Sequence, residues 1–566
     1  MILHSPERIQ AYTEKGWWGT TTLDTLFREL VRQKPTAAAL VDPLNRSDFT
    51  DGATHRYTFA ELDEAVNRLA AAFLAHGLSQ DDRIAVQLPN IVELVIFYLA
   101  CARIGAIAVP FPVQYREYEL ENLSNFAEVR AFVTVTRLGD RQNAAAVASL
   151  RDKTASLETI MAFGDNVPEG VVALDERLNQ EADTDWLNQY QNNLRITAND
   201  VFTICWTSGT ESQPKGVPRT HNDWIAIAYA SVDGAELTGD DVLLNPFPLV
   251  NMAGIGGMLV PWLLTGAKMV MHHPFDLMTF FKQIAIERIS YTVAPPALLN
   301  MLLMREDMLA KADLSSLRVI GSGSAPLSPW MVKSWHDKFG IHVTNFFGAN
   351  EGTALIGGPK DIPDPEKRAQ YFPRFGVDGY EWSGRVPQGI QSRLVDLATD
   401  EEIHDAHRPG ELRLKGPTIF SGYWRGDEIG LKPFDEQGYF RTGDMFEIAG
   451  EGDDARYYRF VDRAKDIIIR GGVNISAAEI EALIMSHSKV ADVAVVGYAD
   501  EVLGEKSCAF VVTRPEQTLT LAELVEFLKE KRIASYKLPE RLEVVATLPR
   551  NPVGKVLKRD LRQQIQ

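Results

Sequence analysis

Short apolar runs of strand length alternate with longer stretches of helical period along most of this chain, and that alternation limits what it can fold into more than any other feature. Ile84-Ala85-Val86-Gln87-Leu88, Ala131-Phe132-Val133-Thr134-Val135 and Lys268-Met269-Val270-Met271 are runs of the first kind. Leu62 to Leu74 and Ile91 to Ile104 are stretches of the second and read as amphipathic helices. Strands alternating with helices form parallel sheets, because a parallel pair needs a crossover and the helix supplies it. From about Gly410 the pattern shortens, and Glu411-Leu412-Arg413-Leu414-Lys415 and Tyr457-Tyr458-Arg459-Phe460-Val461 read as β-rich structure. The charged segment Asp462 to Asp466 marks a boundary. Beyond it, Val490 to Val496 and Cys508 to Val512 read as strands, and Ser476 to Met485 and Leu521 to Ile533 as helices. The expectation is an α/β protein. A large N-terminal domain of parallel-type sheets plus a β-rich subdomain spans 1–461, and a small α+β domain spans 462–566.

A chain of 566 residues is several times the usual domain size, so it must divide rather than grow a single core. Its formal net charge of −18 argues against a nucleic-acid partner, since phosphate backbones are bound by fields of lysine and arginine. Cys101, Cys205 and Cys508 lie far apart with no metal-ligand spacing, which points to a reducing cytoplasm and to structural thiols. The residues from Met1 to Glu7 lack the basic and apolar regions of a signal peptide. Val242 to Ala267 carries no charge and is long enough to span a bilayer. Pro246, Pro248, Pro261, Asn245, Asn251 and four glycines would interrupt a spanning helix, so a buried strand, loop and short helix is the better reading, with no membrane span.

The chemistry starts at Thr207-Ser208-Gly209-Thr210-Glu211-Ser212-Gln213-Pro214-Lys215-Gly216, which follows the apolar run Val201 to Trp206. Glycines let backbone N–H groups turn toward an anion, hydroxyls donate further bonds and the lysine brings a mobile charge, a set suited to a triphosphate. It is not a Walker loop, because Lys215 follows a proline and precedes a glycine. Alone, such a stretch is more often a surface connection. Further segments alter that balance: Gly323-Ser324-Ala325-Pro326-Leu327, Asn345-Phe346-Phe347-Gly348-Ala349-Asn350-Glu351-Gly352, Gly438 to Asp444, Asp462-Arg463-Ala464-Lys465-Asp466, Arg470-Gly471-Gly472-Val473-Asn474-Ile475 and Pro549 to Lys555.

In this order, these segments resemble the adenylate-forming enzymes, the superfamily of acyl- and aryl-CoA ligases, aryl-AMP ligases, peptide-synthetase adenylation domains and firefly luciferase, over nearly the whole chain. Pro218 to Asp223 and Leu503 to Ala509 look like the dihydroxybenzoate-AMP ligases, while Ile467 to Ser476 looks equally like bacterial medium-chain or alicyclic acyl-CoA ligases. The loop from Thr207 to Gly216, with Glu211 in it, shares the second likeness, and Gly16-Trp17-Trp18 fits either. The resemblance implies that a carboxylate attacks the α-phosphorus of ATP, expelling pyrophosphate, and that the acyl adenylate passes to a thiol. Two anions must then be held together while charge builds, a task for preorganised cations and donors.

By the same resemblance Thr207, Ser208, Gly209, Thr210 and Lys215 hold the phosphates, with Ser212 standing where glycine is usual. Glu351 binds Mg²⁺, and Asn350 replaces the customary threonine before it. Gly323, Ser324 and Ala325 face the adenine, and Asn345, Phe347 and Gly348 belong to the nucleotide set. Asp444 accepts from the ribose hydroxyls and Arg463 reaches the same sugar. Lys555 is implied as the catalytic lysine, Lys465 as the hinge of a mobile lid, and Gly471 and Gly472 as the walls of a pantetheine tunnel. Asn251, Met252 and Ile255 are implied to line the acyl pocket. Met252 stands where dihydroxybenzoate ligases have asparagine, so an uncharged aryl, alicyclic or medium-chain acid is expected in a roomy apolar pocket. CoA is the expected acceptor. The alternatives are the phosphopantetheine of a carrier protein and, outside enzymes, a silent adenylate-binding protein.

Overall fold

A computed structural model describes every residue except 179–183, 208–213, 353, 471–472, 501, 532, 552–554 and 566. The described chain forms two compact units, one from 1–207, 214–391 and 414–438, the other from 392–413 and 439–566. Among the described residues no helix is long and apolar enough to cross a membrane.

The larger unit contains two large sheets. In a seven-stranded sheet the order is Gly216–Thr220, Val201–Trp206, Ile107–Pro110, Arg83–Gln87, Ala131–Val135, Thr159–Phe163 and Val172–Ala173. All neighbours are parallel except the edge strand Gly216–Thr220, which runs antiparallel to Val201–Trp206. An eight-stranded sheet runs Ala354–Gly357, His342–Gly348, Val319–Gly323, Tyr291–Val293, Val242–Asn245, Lys268–Met271, Ala38–Val41 and Arg56–Thr58. Its six inner strands are parallel and both edges antiparallel. The predicted strands thus lie in two sheets, and their near-continuous apolar character reflects cover on both faces.

Helix Phe59–Ala75 is amphipathic, as its period predicts, and starts on a reciprocal capping box between Thr58 and Glu61. The next predicted helix departs from expectation: all thirteen residues of Val92–Ile104 are buried, so it has no solvent face. Its charged residues are paired internally. Glu93 meets Arg46 at 2.7 Å, and Arg103 meets Asp24 at 2.9 Å and Asp63 at 2.7 Å. A buried charge is tolerated only with such partners.

The uncharged stretch Val242 to Ala267 begins with the expected strand, Val242–Asn245. The helical part then runs longer than the short helix predicted: a π-helical segment, Met252–Leu259, leads directly into helix Val260–Thr265. Wide π turns mark places where a helix gives up ideal geometry, and they recur at functional sites.

The smaller unit contains the antiparallel pair Phe440–Ile448 and Tyr457–Arg463. It also has a sheet in the order Val473–Ile475, Ile468–Arg470, Gly504–Thr513 and Val490–Asp500, with Arg541–Val544 parallel to Gly504–Thr513. Val493 and Val495 face a core with Ile480, Ile484 and Leu524, while Ala494 and Val496 face a second with Phe510, Leu548 and Leu561. Strict alternation places successive residues on opposite faces, so this sheet is covered on both sides. Helix Leu521–Glu530 stops three residues short of the predicted end. Cys101, Cys205 and Cys508 are free and buried.

Candidate functional site

The segment expected to hold phosphates connects two strands that pair antiparallel. Val201–Trp206 and Gly216–Thr220 pair in a register ending at Trp206 opposite Gly216. Thr207 closes the base of the connection: its N–H donates to the Lys215 carbonyl at 3.0 Å, and its hydroxyl accepts the Lys215 N–H at 3.3 Å. Ser208, Gly209, Thr210 and Ser212 lie outside the described residues.

Lys215 and Glu351 meet through a residue that the sequence reading did not single out. The Tyr423 hydroxyl donates to Glu351 Oε1 at 2.8 Å, and the Lys215 ammonium lies 5.0 Å from the centre of the Tyr423 ring. Burial and the adjacent Glu351 charge push the Tyr423 phenol well above its ordinary range, which keeps it a donor. The backbone fixes the same arrangement: Trp424 N–H donates to the Gly216 carbonyl at 2.8 Å and Phe420 N–H to the Glu351 carbonyl at 3.0 Å. Gly352 must be glycine, since it has φ +102° and a Cβ would stand 1.7 Å from the Thr418 carbonyl oxygen. The signal available in the sequence was Phe420, Tyr423 and Trp424 gathered in a loop with Gly422, beyond the quoted motifs.

Asn350 holds two other segments together. Its Oδ1 accepts from Met252 N–H at 2.8 Å and its Nδ2 donates to the Trp206 carbonyl at 2.8 Å. The expected acyl-pocket wall is therefore bonded to the strand that opens the phosphate loop. Asn251 caps the π-helical segment, its Oδ1 accepting from Ala253 and Gly254 at 3.1 and 3.3 Å. Ile255 is fully buried and Met252 half-buried. Two of the glycines are tightly packed: a Cβ on Gly254 would lie 2.1 Å from the Pro248 carbonyl oxygen, and one on Gly256 2.8 Å from Met252 Sδ. They permit close packing.

Among the expected adenine-facing residues, Gly323 ends the strand Val319–Gly323, and Ser324 and Ala325 are exposed beyond it. Ser324 has φ +71°, an uncommon conformation for a residue with a side chain and one that clusters at functional sites. Phe347 is half-buried and Gly348 exposed on the neighbouring strand His342–Gly348. Asn345 is buried, with its Nδ2 donating to the carbonyls of Arg368 and Ala369 at 3.2 and 3.0 Å, so its amide anchors helix Pro365–Gln370.

The segment Pro218 to Asp223 is structural. Buried Arg219 donates to the Thr418 carbonyl at 2.8 Å, and Asp223 meets His4 at 3.1 Å. Burial alone would raise the Asp223 carboxyl, but His4, Arg219 and the Thr220 N–H outweigh it and hold it at about 2.

In the smaller unit Asp444 and Arg463 are opposite each other on adjacent strands, with Nε and Oδ1 3.4 Å apart. The Asp444 N–H donates to the Thr442 hydroxyl at 3.1 Å. The Lys465 carbonyl accepts from Arg562 at 3.1 Å, and Arg562 also pairs with Asp466 at 2.7 Å. Lys555 is gripped by Asn551, which donates its N–H to the Lys555 carbonyl at 2.8 Å and accepts the Lys555 N–H on Oδ1 at 2.9 Å. Gly471 and Gly472 lie outside the described residues. No group of three or more His, Cys, Asp or Glu that could hold a metal occurs among the described residues. A cation here would depend on Glu351 and on oxygens brought by a nucleotide. Glu351 fits that role: it is a carboxylate with one oxygen fixed by Tyr423, and its other oxygen meets no hydrogen-bond donor among the described residues.

The chain is similar to known proteins over nearly its whole length. The pattern of the AMP-binding enzyme family matches residues 27–424, and that of the AMP-binding enzyme C-terminal domain matches 479–555. The chain is 32% identical to a medium-chain fatty-acid–CoA ligase of Escherichia coli (strain K12), over 100% of this chain and 94% of the relative. It is 30% identical to the 2,3-dihydroxybenzoate-AMP ligase of Bacillus subtilis (strain 168), over 99% and 96%. Among solved structures, ATP-bound MatB from Rhodopseudomonas palustris superposes with a TM-score of 0.78 at 25% identity, covering 96% of this chain and 99% of that one.

Proposed function

The chain belongs to the AMP-binding enzyme family, whose members activate acids as adenylates and transfer them to CoA or a carrier, and from that premise we propose that it is an acyl- or aryl-CoA ligase acting on an uncharged carboxylic acid. The observation that carries this reading is the Lys215–Tyr423–Glu351 arrangement at the base of the phosphate loop. It supplies a cation for departing pyrophosphate and a carboxylate for the cation that accompanies ATP. Mg²⁺ bound there would neutralise phosphate charge. In this reading Thr207 orients the loop, Asp444 and Arg463 hold the ribose, and Lys555 meets the carboxylate and α-phosphate as charge develops. Lys465 is the pivot of a lid over 462–566, set against an N-terminal domain of 1–461.

An aryl, alicyclic or medium-chain acid is favoured because Met252 and Ile255 offer no polar partner for a ring hydroxyl. CoA is favoured over a carrier protein by the likeness of Ile467 to Ser476 to stand-alone CoA ligases. A panel of carboxylic acids assayed for pyrophosphate release, each with and without CoA, tests the proposal. AMP and pyrophosphate are the expected products, with thioester only when CoA is present. Stoichiometric ADP overturns the adenylation mechanism, and transfer only to a pantetheinylated carrier overturns the choice of acceptor.

A further inference from the structure

We propose that Tyr423 is a positioning residue for ATP-bound cation and phosphate, acting through Glu351 and Lys215 at once. The inference rests on the reading that Glu351 faces the nucleotide's cation. Three observations carry it. The phenol donates to Glu351 Oε1 at 2.8 Å and so fixes the carboxylate plane, leaving the other oxygen without a hydrogen-bond donor among the described residues. The face of the same ring carries the Lys215 ammonium at 5.0 Å, a cation–π distance. The ring's own segment is bonded on one side to the strand after the phosphate loop, through Trp424 to Gly216, and on the other to the Glu351 carbonyl through Phe420. One side chain thus sets the separation of a cation and an anion that must both engage the same triphosphate. Engaged with different parts of one phenol, the two charges form no ion pair with each other among the described residues, so none has to be broken when nucleotide binds.

The two halves of the ring's role separate by mutation. Tyr423→Phe removes the hydrogen bond and keeps the aromatic face, while Tyr423→Leu removes both. Binding is measured with Mn²⁺·ATP by electron paramagnetic resonance and with metal-free ATP by calorimetry, alongside the metal concentration for half-maximal pyrophosphate release. For Tyr423→Phe the expected result is about tenfold weaker Mn²⁺·ATP binding and a matching rise in the half-maximal metal concentration, equivalent to about 1.4 kcal/mol. Metal-free ATP binding and the KM for the acid should stay within twofold of wild type. Tyr423→Leu should weaken metal-free ATP binding as well, about fivefold. Unchanged Mn²⁺·ATP binding in the isosteric Tyr423→Phe overturns the proposal by reducing Tyr423 to packing. Tighter binding overturns it too, by showing that the phenol blocks the carboxylate. Glu351→Gln keeps the two failures apart: wild-type Mn²⁺·ATP binding in that variant sinks the metal role of Glu351 itself, whatever Tyr423 does.

Discussion

At the residue scale, Asn350 and Tyr423 each join two partners that are far apart in the chain. Asn350 makes the clearest case, because its amide presents an acceptor and a donor on separate atoms, Oδ1 to Met252 N–H and Nδ2 to the Trp206 carbonyl, where a threonine offers a single oxygen on a shorter arm. Asn350→Ala should raise the KM for acid and for ATP together, each by about fivefold or more, and lower stability by about 1–3 kcal/mol, since both backbone groups lose a partner. Asn350→Thr should recover only part of this. Steady-state kinetics with each substrate varied, together with thermal melts, measure both effects; a change in one KM alone would show that the two segments are independent. The proposed role of Lys555 gives a second expectation: Lys555→Ala should lower adenylation by at least about 10²-fold, the scale of one preorganised transition-state contact. Supplied with synthetic acyl-AMP and CoA, the same variant should still make thioester near the wild-type rate. Equal losses in single-turnover assays of both steps would withdraw the assignment of Lys555 to adenylation. Motif reading located Asn350 and Lys555, but Tyr423 escaped it. Its importance comes from partners 72 positions away at Glu351 and further still at Lys215, and no local pattern encodes such a contact.

At the element scale, the π-helical segment Met252–Leu259 shows how composition and geometry can be read differently. Its glycines look like space for a substrate, yet Gly254 is required by the approach of the Pro248–Leu249 backbone. Gly254→Ala should therefore displace the segment rather than narrow a pocket. The expected signs are a lower melting temperature and a raised KM for every acid tested, large or small. Selective loss of bulky acids only, with unchanged stability, would show instead that the position opens into the acid site. The helix Val92–Ile104 carries the complementary lesson. Its helical span was legible, but whether Glu93 and Arg103 meet water depended on Arg46, Asp24 and Asp63, which arrive from other elements.

At the scale of the whole molecule, buried titratable groups set the response to acid. Burial pushes His221 and His273 down to about 4 from an ordinary value of 6.5, so both are neutral in the fold. The unfolded chain takes up these protons first as pH falls. Their contribution is complete above about pH 6.5 and is lost progressively down to about pH 4, on the order of 3 kcal/mol for each. Denaturant midpoints should fall steeply over that window, and His221→Asn, which can still accept from Leu23 N–H, should remove about one proton from the slope. An unchanged slope in that variant would show that His221 is not the titrating group. The sequence by itself determined the element types, the parallel character of the sheets, the shortening of the pattern beyond Gly410 and the order of the motifs, because periodicity and turn chemistry act within a few residues. Only the tertiary structure decided which charges are buried in pairs, why Gly254 and Gly352 must be glycine, and that Tyr423 and Asn350 join the loop, the carboxylate and the π-helical segment. Those facts depend on distances between segments far apart in the chain, which packing fixes and local sequence does not.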